Sequence, residues 1–427
     1  MLRQGAAARW CDNAGHADGG PEGLSTPRPS ESWQRNVWAL CLCVFIAFVG
    51  FQFFSPFLPL YVRELGVTDP SAIALWSGLL AAVTPAVSGL LSPLFGRLAD
   101  RFGRKMMLIR SLVGFTVIIA AMGLVTSVRQ LFAARLLMGL FAGFTPMAIA
   151  VASVSAPRDK ASVAIARVQG AQLLSVAVGP AVGGIVASHF GFRPAFFVTA
   201  GMCVVALVAL IFLFQEVLPP EAGEGRAARR STPLREFLRY PHFMSVMGML
   251  LIAQFVDRGL SLLIPLQVAH MPGVDAAATS GLIIAVAAVG ATLSASAVAR
   301  LSQFIPAGQL LLVQLLVGDA FCAAMAFAEN RLPLLVLRTV VALCLGGALT
   351  IAYTVGGLIV PAETRGAAFG WLALGVQLGT AASPLLNGWV AAWSLPGAYV
   401  LNGALAWLGA GLLMLVSREL LTRQSAR

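Results

Sequence analysis

"GRLADRFGRK", residues 96–105, packs Arg97, Asp100, Arg101, Arg104 and Lys105 into ten positions of a chain in which only 11% of residues are charged. The runs on either side of it are apolar, and that contrast decides how the rest is read. A soluble domain is nearer a quarter charged, whereas these 427 residues are 58% hydrophobic with a mean hydropathy of +0.85. Such a composition belongs to a chain that lives in a bilayer.

A helix needs ~20 apolar residues to cross the hydrocarbon core and rarely carries a charge at its centre. Working outward from the opening stretch, charge-free runs cover 36–62, 70–96, 111–128, 136–157, 168–192, 194–215, 276–299, 301–318 and 339–362. The run 366–417 is long enough for two spans and is broken at Leu395-Pro396-Gly397, and the segment 244–268 is interrupted only by Asp257-Arg258. The expectation is an all-α membrane protein with twelve transmembrane helices.

Lys and Arg bias sets the orientation. With a cytoplasmic N-terminus, only Arg63, Arg129, Arg193 and Arg331 fall on the far side, and Arg135, Arg258 and Arg338 fall inside helices. Both termini are therefore expected in the cytoplasm, with 1–35 and 418–427 as polar tails. The net charge of +11 reflects this loop asymmetry and requires no nucleic-acid partner, because the basic residues are scattered over separate segments. The polar start has no apolar core typical of a cleavable signal, and the first helix is too long for one, so it should remain as an anchor. Five of the six cysteines (Cys41, Cys43, Cys203, Cys322, Cys344, but not Cys11) lie in apolar helices without metal-ligand spacing and read as small buried hydrophobes. No cofactor, metal cluster or nucleophile-base set is legible at membrane depth, which argues against an enzyme.

The longest internal polar segment, 216–241, divides the chain into a bundle of six helices at 36–215 and another at 242–417. The halves repeat. Arg135 and Arg338 are separated by the same interval as Gly143 and Gly346, and Pro157, Pro180 and Gly184 recur one position further on as Pro361, Pro384 and Gly388. Two pseudo-symmetric bundles suggest a secondary transporter. The same interval places Asp100 on Gln303 and Gly103 on Pro306, so the charge cluster has decayed in the second copy.

In the opening stretch, Gly96, Ala99 and Gly103 permit a tight connection between the second and third helices. Arg97, Arg101, Arg104 and Lys105 suit an anionic membrane surface. Asp100 is the odd member, a carboxylate among cations, fit to accept from Arg or to sit at the positive end of a helix. Position for position, this stretch resembles the helix 2 to 3 signature of the major facilitator superfamily. The resemblance implies that Asp100 with the basic residues, Arg101 and Arg104 above all, latches the halves on the cytoplasmic face, with Gly96, Gly103 and Lys105 completing the motif.

Two more stretches resemble the drug exporters of that superfamily. "GAQLLSVAVGPAVGG", residues 170–184, is similar to their helix 5 antiporter signature in Gly170, Gly179, Pro180, Gly183 and Gly184. Physically, Pro180 bends a helix and the glycines let a second helix approach closely. "PFLPLYVRELGV", residues 56–67, looks like the exit of helix 1 in the twelve-helix drug:proton antiporters. In the fourth helix Arg135, with Gly139 and Gly143, resembles a motif whose Arg is implicated in proton transfer; snorkelling to the outer interface is the alternative for a residue so near its helix start.

Among acidic residues, only Asp257 and Asp319 lie well inside predicted helices. Asp257, midway along the seventh helix, is the first choice for the coupling carboxylate. Its neighbour Arg258 points about 100° away, so the two do not simply pair; an ion pair with Asp319 or with another helix is the structural alternative. Asp319, on the ninth helix, reads as structural. The four histidines (His16, His189, His242, His270) fall in the tail or at helix ends, which argues against a histidine relay. Polar and aromatic candidates for a substrate cavity are Phe51, Gln52, Phe54, Gln172, Gln254, Tyr353 and Gln377.

The function implied is export of small amphipathic or drug-like molecules across a bacterial inner membrane by alternating access, in exchange for protons. The partners expected are the small-molecule substrate, protons and the lipid bilayer, and the protein is expected to be a monomer. Proton-linked uptake, or a receptor on the same fold, are the alternatives.

Overall fold

In the computed structural model the described residues are 29–157, 160–214, 234–237, 239–240, 242–302, 304–360 and 365–416. They form these long helices: α1 (Pro29–Phe54), α2 (Pro70–Phe102), α3 (Arg104–Leu124), α4 in two pieces (Val128–Leu140 and Phe144–Ser155), α5 (Ala161–Phe190) and α6 (Phe192–Leu213), with short helical segments, Ser55–Phe57 and Leu58–Glu64, between α1 and α2. The second half repeats the order with α7 (Phe243–Val268), α8 (Ala276–Leu301), α9 (Ala307–Ala324), α10 (Arg331–Leu345 and Ala348–Ile359), α11 (Arg365–Trp393) and α12 (Leu395–Val416). Ten spans among the described residues are long and apolar enough to cross a membrane. The twelve expected correspond to these ten together with α4 and α12. Most of the expected tails and linker (1–35, 216–241, 418–427) lie outside the described residues.

Local chemistry sets the helix ends. Asp69 caps α2, its carboxylate accepting from the backbone N–H of Ser71 and Ala72 with Pro70 at the first helical position. Asp275 caps α8 in the same way through Ala278 N–H, and Ser127 caps α4 through Gln130 N–H. Gly103 ends α2 with φ +87°, a conformation open to glycine and strained for other residues, and α3 begins at the next residue. The residue 96–105 stretch is thus not a loop, as its charge suggests: helix continues through it to Phe102, because its arginines and Lys105 have good helix propensity and need only reach the membrane surface.

α4 is broken at Phe141-Ala142-Gly143, where Gly143 takes a left-handed φ of +101°. Arg110 of α3 fills the break: its Nη2 donates to Leu140 O and Ala142 O, each at 3.2 Å, and its guanidinium carbon lies 4.8 Å from the Phe95 ring centre. α10 is interrupted at the matching place, Gly346-Gly347. There the residue standing where Arg110 stands is Gln314, buried, with neither amide atom hydrogen-bonded. The helix exits also match between halves. Tyr61 Oη, just after α1, donates to Met122 O near the end of α3 (2.9 Å), and Gln267 Nε2 in α7 donates to Met325 O and Ala328 O just beyond α9 (3.0 and 2.9 Å).

The halves meet through two helix pairs, α2 with α11 and α5 with α8. Both contacts are made of backbone. A Cβ on Gly78 of α2 would strike Pro384 O and lie 3.0 Å from Gly388 Cα. A Cβ on Gly281 of α8 would strike Pro180 O and lie 3.1 Å from Gly184 Cα. All these positions lie in the ends of their helices remote from the residue 96–105 stretch. Toward the opposite, basic end, Gly89 of α2, Gly170 of α5 and Gly370 of α11 have nothing within 4 Å of an added Cβ. The bundles are therefore closed at the far end and parted at the basic end.

Candidate coupling site between the halves

Seventeen of the 26 residues of α7 are buried, including most of Ala253 to Val268, yet Asp257 breaks the pattern: its side chain is 49% exposed. Lipid is no environment for a half-exposed carboxylate at membrane depth, so this exposure faces the space between the bundles. Its Oδ1 accepts a 2.8 Å hydrogen bond from Nη2 of Arg338 in α10, a guanidinium only 6% exposed. The structural alternative of a pair with another helix is thus realised, with Arg338 as partner, while the carboxylate remains open on its other side. Arg258 makes no ion pair with it; its Nε is buried without a hydrogen-bond partner. The Asp319 side chain lies outside the described residues.

In the sequence Arg338 stands out as an arginine inside a helix and as the repeat of Arg135. The repeat spacing places it in α10 but names no partner for it, since its first copy, Arg135, has no carboxylate beside it among the described residues. Arg135 itself is buried, so it does not snorkel to the outer interface. Its Cζ sits 5.4 Å from the Phe54 ring centre and its Nε has no hydrogen-bond partner. The two arginines, equivalent by repeat, therefore differ in company: one faces a carboxylate, the other an aromatic ring.

The helix 5 motif divides by position. Gly170 faces open space; an added Cβ on Gly179 would lie 3.0 Å from Val49 O and one on Gly183 would strike the Phe53 backbone, so α5 lies close on α1 there, while an added Cβ on Gly184 would lie 2.8 Å from Ala277 O of α8. One turn of α5 thus touches its own half and the other half at once, which is what a seal on a moving interface requires.

The residues of the charged motif are less uniform than the resemblance implies. Lys105 Nζ donates to Phe214 O (2.6 Å) and Ile211 O (3.3 Å), closing the C-terminal end of α6 within its own half. Arg101 is exposed and lies over the neighbouring Phe102 ring at 5.3 Å, and Arg104 is half-buried at the start of α3. Gly96 and Asp100 are in α2, but their side-chain surroundings lie outside the described residues.

The cavity candidates separate into three groups. Gln377 is exposed, and Tyr353 is half-buried with its ring 6.2 Å from Phe369; Gln172 is half-buried with an unpartnered Nε2. Phe51 packs edge-on against Phe115 of α3 at 4.7 Å, and Gln52 is pressed on Gly179. Gln254 and Phe54 are buried, the first beneath α11 at Gly379 and the second under Arg135 and against Phe196. Buried side chains of this last group do not present a surface to a ligand in this conformation.

Comparison with known proteins agrees with the geometry. The Major Facilitator Superfamily profile matches residues 40–330. The multidrug resistance protein MdtG of Dickeya zeae (strain Ech586) is 33% identical over 309 residues, covering 72% of this chain and 75% of that protein. The MdtG of Erwinia billingiae (strain Eb661) is 31% identical over 389 residues, covering 90% of this chain and 94% of the other. Among solved structures, a bacterial homologue of the human lysosomal transporter Spinster, in an inward-facing and unoccupied conformation, superposes with a TM-score of 0.75 at 19% identity, covering 94% of this chain and all of that one. The human organic anion transporter MFSD10 superposes with a TM-score of 0.65 at 17% identity, covering 91% of this chain. With two helical bundles, glycine-lined contacts between them and a profile match over most of its length, the chain belongs to the major facilitator superfamily.

Proposed function

We propose that this protein exports several small, amphipathic or drug-like molecules across a bacterial inner membrane in exchange for protons, as a monomer with both termini in the cytoplasm and no cofactor beyond the proton gradient. The basic end is then the cytoplasmic end, and the arrangement described here is open inward. Similarity to the MdtG multidrug resistance proteins over up to nine-tenths of the chain supports the cargo class. The observation that carries the coupling is Asp257, half exposed between the bundles and held on one side by the buried Arg338. A carboxylate so placed is ionised while Arg338 pairs with it, and accepts a proton when the exposed side meets an acidic compartment. Taking the proton releases Arg338, so one binding event alters a contact between α7 and α10. No metal or group-transfer step is needed, because binding and release alone drive alternating access.

Asp257→Asn tests this. Asparagine keeps an oxygen for Arg338 but cannot carry a proton on and off. In proteoliposomes with an imposed pH gradient, a panel of amphipathic dyes and antibiotics should still bind, while substrate-driven proton movement disappears. Proton movement equal to that of the parent would refute Asp257 as the coupling group.

A further inference from the structure

The face of α7 opposite Asp257 carries a polar cluster that ion pairing does not use. Ser383 of α11 donates through Oγ to Phe255 O of α7 at 2.5 Å. Asn387, one turn further along α11, donates through Nδ2 to Ser383 O (3.0 Å) and Oγ (3.2 Å). Asn402 of α12 donates through Nδ2 to Asn387 Oδ1 at 2.6 Å and to Ala398 O at 2.8 Å. Gly259 of α7 lies flat against this pair: a Cβ there would come within 2.6 Å of both Asn387 Nδ2 and Asn402 Oδ1. Ser383, Asn387 and Asn402 are all fully buried.

Phe255 and Gly259 are one helical turn apart, and Asp257 between them points about 200° away. The segment of α7 that carries the carboxylate is therefore gripped from behind by α11 and α12 and held in front by Arg338 of α10. The two grips differ in kind. The rear one is a chain of neutral hydrogen bonds that no pH change breaks; the front one depends on the charge of Asp257. About 100° round the same turns of α11 lie Pro384 and Gly388, which press on Gly78 of α2 and close the far end.

We propose that Ser383, Asn387 and Asn402 are positioning residues of the transport cycle, a polar clasp that makes α7, α11 and α12 move as one when Asp257 takes up a proton. Protonation then loosens α7 from α10 while the clasp carries the displacement into α11 and so into the α2–α11 seal. This rests on the reading of Asp257 as the coupling carboxylate. The charged groups acting on Asp257 among the described residues are Arg338 of α10 and Arg258 of α7; Arg338 in turn lies near Tyr399 of α12, whose buried hydroxyl has no hydrogen-bond partner.

The test measures protonation and gate separately in the full-length protein, reconstituted in lipid with its native cysteines replaced. Infrared difference spectra follow the Asp257 carboxyl, identified by its loss in Asp257→Asn. Spin labels on Thr68→Cys, at the head of α2, and Trp393→Cys, at the end of α11, report the far-end distance. In the parent, the carboxyl titration and the distance change should coincide in pH. In Ser383→Ala, which removes the bond to Phe255 O and the hydroxyl acceptor of Asn387 Nδ2, and in Asn402→Leu, the carboxyl should still titrate while the distance change loses more than half its amplitude. A merely structural role would lower thermal stability and leave the amplitude whole, and a full-amplitude change in both variants overturns the clasp. A parent whose carboxyl signal survives Asp257→Asn overturns the coupling reading instead, and the clasp with it, so the two failures are told apart.

Discussion

Replacing Gly281 by alanine drives a wedge into the far-end seal. The new methyl group would meet Pro180 O and Gly184 Cα, both backbone, so no side chain can swing aside to make room. Overpacking of this kind costs about 1–3 kcal/mol. The whole of it falls on the far-end-closed state, because α5 and α8 separate there when the halves rock the other way. A differential penalty of that size moves the balance between states by roughly 5- to 150-fold. Ala277, one turn away and 5% exposed under Phe57 and Ala187, supplies the reporter. In a background lacking the native cysteines, Ala277→Cys should react slowly with a membrane-impermeant maleimide added on the far side. With Gly281→Ala as well, labelling should accelerate by roughly the shift in population, about 5-fold at least. Gly170→Ala, on the same α5 but with nothing within 4 Å of its new methyl, is the matched control and should leave the rate unchanged. Equal labelling of the Gly281→Ala and parent proteins, or equal acceleration by Gly170→Ala, would refute the assignment of the seal to these backbone contacts.

Two further perturbations address the fold. Lys105→Met removes a cation from the last carbonyls of α6 and should lower the midpoint of thermal unfolding in detergent, at a cost of about 0.5–1.5 kcal/mol, with Lys105→Arg milder. Asp69 is held below the usual carboxylate range by the Ser71 hydroxyl and then by the Ala72 N–H. A depressed folded-state value contributes stability above the unfolded-state pKa and loses it as pH falls through the folded one. Asp69→Asn should therefore flatten the acid-side fall in unfolding temperature, and a pH series on the two proteins checks it.

The helices were legible because a bilayer leaves few ways to arrange charge, and the repeat was legible because arginine, proline and glycine recur at one interval. The extent of α2 was not. Its charge suggests a connection between helices, but an arginine at the end of a membrane helix is stable in helix so long as its head reaches water. The partner of Asp257 escaped for a different reason. Arg338 lies 81 residues away along the chain, and no local pattern says which face of α10 meets which face of α7. The buried asparagines escaped too, since Asn387 and Asn402 are single uncharged residues in otherwise apolar runs and nothing in their spacing shows that they touch. Gln254 and Phe54, conversely, look like cavity residues by type, and only packing shows them covered.

The single-residue turn at Gly103 has a mechanical consequence. α2 is 33 residues long, and from its contact at Gly78 to its end at Phe102 it extends about 36 Å at 1.5 Å per residue. A tilt of only ~10° about that fulcrum carries the basic end through about 6 Å. With one residue of slack before α3, the third helix must follow, taking the Arg110 grip on α4 with it. A small rotation at a glycine contact is thereby geared up into a wide mouth at the opposite membrane face.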